Sequence, residues 1–175
     1  WVNGVEVGRH RGGFSPFTCP LDGVAAPGET AVITVLARDD HRALQPKGKQ
    51  SAQYDNHGCH YVRTTGIWQT VWLEPVASVY LQRPRITPDL ANSCFRLEMP
   101  LAGKRVKGLS VHAMLCEGDT IVSVADTGVT DLAARLDLPI PRDRQRRWSP
   151  DDPFLYDLHL ALLDADGTPL DTVDS

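Results

Sequence analysis

The feature that most narrows the fold is the spacing of strand-length apolar runs between Ser78 and Val173. Ser78 to Ile86 reads as one strand, Phe95-Arg96-Leu97-Glu98-Met99 alternates cleanly, and Leu109, Val111, Ala113 and Leu115 share one face of another. Ile121 to Val124 makes a short strand. Leu155 to Leu163 makes a strongly apolar one, and Asp164-Ala165-Asp166-Gly167 turns it into Thr168 to Val173. Side chains alternate across a strand, so period-two patterning means one buried face. Six or seven such runs at roughly ten-residue spacing, with no helix between them, predict a β-sandwich and argue against an α/β fold. The segment 129–138 is ambiguous, and Ala133 to Leu138 is the one place where a short helix competes with a strand.

The first half carries the same strand chemistry with more turns. Trp1 to Val7 reads as a hairpin with Asn3-Gly4 at its tip, the sequence that a tight two-residue turn demands. Ala31 to Ala37 is a continuous apolar run of strand length. Asp39 to Gly58 is long, polar and without helical periodicity, and loops of that length inside a domain are often functional. Tyr61 to Val76 then alternates from Ile67, with Trp68, Thr70, Trp72 and Glu74 on one face. Burying each tryptophan would contribute roughly 2–3 kcal/mol, so this face is expected to meet a second layer. Pro75 ends the run. The expected division is residues 1–75 and 76–175.

Charge and cysteine content remove several function classes. A net charge of −4 over 175 residues offers no basic surface for nucleic acid. No apolar run approaches the roughly 20 residues of a membrane helix. Four scattered cysteines, Cys19, Cys59, Cys94 and Cys116, do not make a disulfide framework in a chain this long. Cys94 alternates with Arg96 and Glu98, and Cys116 with Ser110, His112 and Met114, so both are expected on outward or mixed faces. Free thiols point toward a reducing, cytoplasmic compartment. The chain opens on Trp1-Val2 without an initiator Met, so its natural N-terminus is expected to lie further upstream.

Several motifs carry a family resemblance. Arg63 to Val76, RTTGIWQTVWLEPV, resembles the segment ending the sugar-binding domain of family 2 glycoside hydrolases, which include β-galactosidases, β-glucuronidases and β-mannosidases. Val2 to Phe17, VNGVEVGRHRGGFSPF, resembles that domain's central hairpin, and Trp148 to Tyr156, WSPDDPFLY, a signature late in the family's second domain. Arg38 to Gln50, RDDHRALQPKGKQ, is similar to a loop of one bacterial branch. The resemblance implies an all-β chain: residues 1–75 as part of a galactose-binding-like jelly roll, then an immunoglobulin-like β-sandwich over 76–175. It also implies a retaining, β-galactosidase-like parent enzyme whose two catalytic carboxyls sit on a separate barrel domain, a β-glycoside substrate, no cofactor, and an assembly that allows a homo-oligomer.

The residues themselves agree that chemistry lies elsewhere. Glycoside hydrolysis needs two carboxyls roughly 5–10 Å apart. The five glutamates, Glu6, Glu29, Glu74, Glu98 and Glu117, fall on scattered strand faces and turns, so no catalytic residue is expected. His57-Gly58-Cys59-His60, with Asp55 nearby, has ligand chemistry suited to zinc, but no second close-spaced motif completes a site, and no metal is expected. Under the resemblance, Asp55, Asn56, His57 and His60 are candidates for a loop that hydrogen-bonds sugar hydroxyls; an ordinary exposed loop is the competing reading. Lys47, Lys49, Gln50 and Arg63 are candidates for contact with the barrel, and Lys47 to Gln50 has the wrong spacing for a phosphate loop. Arg63 beside two tryptophans also fits a structural stacking role. Trp148, Phe154 and Tyr156 read as packing anchors, and Arg142, Arg144, Arg146 and Arg147 as a solvated loop. The rival from another class is a stand-alone carbohydrate-binding or adhesion module, which would show an exposed row of aromatics.

Overall fold

The computed structural model describes residues 1–40 and 42–175; His41, in the loop 38–50, lies outside the described residues. The chain divides into two compact units, Trp1–Trp72 and Leu73–Ser175. Among the described residues every ladder-forming strand lies in the second: β1 (Val79–Leu81), β2 (Arg85–Asp89), β3 (Cys94–Gly103), β4 (Ser110–Glu117), β5 (Thr120–Gly128), β6 (Ala133–Pro139), β7 (Asp157–Leu163) and β8 (Pro169–Asp174). A 3₁₀ turn at Arg142–Arg144 is the one helical element named there, and no helix is long and apolar enough to cross a membrane.

Two antiparallel sheets result. In one, β3 pairs with β1 and β2 along successive stretches and with β6. The other runs β5-β4-β7-β8. The alternating faces meet as the sequence predicts. Leu97, Met99 and Leu101 of β3 face Val111, Ala113 and Leu115 of β4 and Leu158, Leu160 and Leu162 of β7 within one core cluster. Each is at most 5% exposed. Burial of each large side chain contributes about 1.5–3 kcal/mol, so this seam dominates the stability of the unit. The amide of Leu81 donates to the Asp171 carboxylate at 2.8 Å and ties β1 to the far sheet. Strand order and packing are those of an immunoglobulin-like β-sandwich.

Tyr156, just ahead of β7, donates to the Arg144 carbonyl at 2.6 Å and accepts from the Arg146 amide at 2.8 Å, tying the start of β7 to the segment after β6. Phe154 and Phe95 meet its ring edge-on. Arg146 is exposed, as its basic neighbourhood suggests, but it is also paired. Its guanidinium sits 3.7 Å over the Phe154 ring and bonds Glu117 at 3.0 Å and Asp152 at 3.0 and 3.2 Å. The hydrogen bond to Glu117 leads the causes that raise its pKa, followed by the one to Asp152.

Three sequence expectations in this unit are corrected and one left open is resolved. The run Ser78 to Ile86 splits into β1 and β2, because Pro84 has no amide to give the ladder; the last donor before the gap is Gln82, to Pro100 at 2.8 Å. Residues 133–139 are strand: β3 offers them an edge, and Ala134 and Leu138 reach the core at 2% and 0% exposure. Cys94 and Cys116 are buried, not outward. At Cys116 a register shift after Leu115 turns two successive residues inward, while Cys94 stands between Asp89 of β2 and Pro139 of β6, which cover it. All four cysteines are free. Gly103 is required where it stands, at φ +99, because a Cβ there would collide with the Ser78 carbonyl that accepts from Lys104.

The first unit departs furthest from expectation. Its hairpin forms, Val2 and Val5 exchanging amide bonds at 2.9 Å across Asn3 and Gly4, both at positive φ. Asn3 then stitches Val24 and Val32 to the turn through its side chain. Beyond that there are only isolated bridges, Val2 to Ile33, Gln50 to Tyr61 and His57 to His60. Ala31 to Ala37 and Ile67 to Glu74 form no ladder, and Trp68 and Trp72 are 65% and 68% exposed instead of buried. Alternation prepares a strand, but a ladder needs a neighbour along its length: Trp1 to Asn3 bonds only Val32 to Thr34 of the first run, at 2.9 Å.

Candidate functional site

The polar loop from Asp39 to Arg63 is held together by one serine. Ser51 is 1% exposed. Its hydroxyl accepts from the Gln53 amide at 3.0 Å and lies 3.2 and 2.9 Å from the carbonyls of Gln53 and Asp55 and 3.3 Å from His57 Nδ1. A hydroxyl bonding backbone two residues on is the usual way a serine fixes a turn. Around it, the Ser51 amide donates to the Tyr61 carbonyl and the Tyr61 amide to Lys49, closing both ends of the loop.

The sequence candidates fall into two groups. Lys47, Gln50 and Arg63 line one shallow depression together with Asp39, Gln45, Pro46 and Ser51. Arg63 spans the loop, donating to the Gln53 carbonyl at 2.8 Å, and Gln50 accepts from the Thr64 amide at 2.9 Å. Lys49 is outside the depression and contributes its carbonyl. Asp55, Asn56, His57 and His60 are all exposed on the opposite limb. There His57 and His60 exchange amide bonds and stack their rings 5.1 Å apart, with Cys59 Sγ 3.9 Å from His60 Nδ1. Among the described residues no three side chains of ligand type converge on a metal position. Sequence reasoning missed Ser51, Asp39 and Gln45; a serine directly ahead of the Tyr54-Asp55-Asn56 turn was the available signal for the first.

Of the two best-formed depressions, one has Asp39 as its single carboxylate and the other Glu98. A general acid needs its carboxyl pKa raised, and the resolved shifts go the other way. The hydrogen bond from Arg9 lowers Glu6, and that from the Asn92 side chain lowers Asp89. The loop's exposed polar side chains include Asn56, His57 and His60, while the guanidinium of Arg63 is half-buried against the Gln53 carbonyl.

Comparison with known proteins adds the following. The family model described as Glycosyl hydrolases family 2 matches residues 79–175. A β-glucuronidase of Paenibacillus borealis is 27% identical over 95% of this chain and 28% of its own length. A β-galactosidase of Thermoanaerobacter pseudethanolicus is 24% identical over 93% of the chain and 22% of its own. The chain therefore spans between 22% and 28% of these two relatives. The solved β-glucuronidase of Bifidobacterium dentium superposes on 57% of this chain and 18% of its own with a TM-score of 0.50 at 19% identity, a likeness of fold.

Proposed function

This chain belongs to glycosyl hydrolases family 2, and from that premise we propose that it serves as the non-catalytic, substrate-proximal part of a longer retaining glycosidase. The carrying observation is the pairing of a family match over 79–175 with the lack of any two carboxylates in one of the best-formed depressions. The two carboxyls of the double displacement, roughly 5–5.5 Å apart in retaining enzymes, then come from a barrel domain elsewhere in the enzyme. Residues 1–75 act in a jelly-roll sugar-binding domain, and the sandwich buttresses the barrel. Asp55, Asn56, His57 and His60 reach the sugar pocket, while Lys47, Lys49, Gln50 and Arg63 contact the barrel. The relatives' names support β-galactosides and β-glucuronides as the substrate class.

One observation favours a second reading, a free-standing carbohydrate-binding module. Phe14, Tyr54, Trp68 and Trp72 are between 65% and 85% exposed, a supply of rings for stacking on sugars. A panel of chromogenic galactosides, glucuronides and mannosides, run on this chain and on the longer enzyme in parallel, separates the two. Turnover by the longer enzyme alone is the expected result. Turnover by the 175-residue chain, or silence from both with sugar binding by the short one, overturns the scaffold reading.

A further inference from the structure

The outer face of the β5-β4-β7-β8 sheet carries a row of charged and imidazole groups that the glycosidase reading does not use. His112 of β4 stands directly opposite Asp126 of β5, and His159 of β7 opposite Asp174 of β8. In each pair Nδ1 lies 2.8 Å from a carboxylate oxygen. The two histidines sit on neighbouring strands. His112 is opposite Ala161 and His159 opposite Met114, so they form a diagonal cross-strand pair. Diagonal neighbours lie roughly 7–8 Å apart at the backbone, within reach of ring side chains. The order across the sheet is carboxylate, imidazole, imidazole, carboxylate.

We propose that His112 and His159 form a surface site for a divalent transition-metal ion of the zinc class. The carboxylates are the reason. A neutral imidazole whose Nδ1–H donates to a carboxylate has its tautomer and ring orientation fixed, which leaves Nε2 as the nitrogen able to take a metal. Asp126 and Asp174 lie on the outer strands, β5 and β8, so in each ring Nε2 is the nitrogen not engaged by the carboxylate. Ala161 stands opposite His112 and Met114 opposite His159. Both rings are partly open to solvent, at 38% and 43% of their side-chain surface, which gives an ion an entry path. Since no three ligand-type side chains converge among the described residues, water fills the remaining tetrahedral positions. Strand alternation conceals such a site from the sequence, because its histidines lie 47 positions apart, at 112 and 159.

The test is Zn²⁺ titration of the full chain in a background carrying Cys59→Ser, His57→Gln and His60→Gln, which removes the competing ligands clustered at 57–60. Calorimetry is expected to give one bound ion at micromolar affinity, and the ring signals of His112 and His159 are expected to move together in the NMR spectrum. His112→Gln and His159→Gln each weaken binding at least tenfold, and Asp126→Asn or Asp174→Asn about tenfold, the usual loss when a carboxylate behind a ligand is removed. The NMR mapping needs no substitution at the site, so it decides the matter even if a variant folds poorly. Absence of binding at millimolar Zn²⁺, unchanged affinity in both histidine variants, or shifts confined to other histidines would each overturn the proposal.

Discussion

The two units of this chain use the same residue types and reach different ends. Leu73–Ser175 turns alternation into ladders, with buried faces from two sheets meeting in one core. In Trp1–Trp72 equally apolar runs form only isolated bridges among the described residues, and side chains that bond backbone add to them: Asn3 at the hairpin, Ser51 in the loop, and Trp68 Nε1 donating to the Gly13 carbonyl at 2.7 Å. The difference teaches that patterning specifies which face could be buried, while partner strands decide whether it is. It also assigns each unit its own weak point, a core side chain in one and a polar stitch in the other.

Four substitutions would break or sharpen this contrast. The largest effect is expected from Leu160→Ala: a cavity at a 2% exposed position costs about 2–5 kcal/mol. Urea unfolding should register the loss, while amide exchange in residues 1–72 stays as it was; a coupled change in both would break the separation. Tyr156→Phe keeps the ring packing and deletes the hydroxyl bonds, for a loss of about 1 kcal/mol in the same assay. Asp89→Asn acts through pH. The Asn92 bonds hold the Asp89 carboxyl below its ordinary 3.8, so its stabilisation is present above that value and lost as pH falls through the lowered one. Variant and parent should therefore differ at neutral pH and converge in acid, and a gap constant with pH would refute the assignment. Smallest is Ser51→Ala, expected to leave the urea transition unchanged while speeding exchange at the Gln53 amide. A shifted transition would mean the loop is part of the cooperative unit.

Much of the sandwich was legible in sequence because alternation and burial coincide there. Leu109, Val111, Ala113 and Leu115 could be assigned to one face from spacing alone, as could the apolar positions of Leu155 to Leu163. What escaped were events at single residues. The missing amide of Pro84 divides a strand, a bulge turns Cys116 inward, and Arg146 is captured by Glu117 and Asp152, which lie 29 and 6 positions away. The first unit misled for a different reason: the Trp68 and Trp72 pattern reads as a strand whether or not a neighbour is there to pair with it. In the loop, the polar residues were recognisable but their organiser was not, because a serine's role depends on which carbonyls the backbone brings to it.

The interruption at Pro84 also bears on how the protein survives its own synthesis. An unbroken edge strand is a template on which a second, half-folded copy can add itself amide by amide. Here the β1–β2 edge offers three residues, then a gap containing a proline, then five that include Pro88. Neither piece is long enough to seed a persistent intermolecular ladder, and a proline has no donor to extend one. At this edge the interruption therefore disfavours pairing between copies and leaves intramolecular closure the better use of its amides.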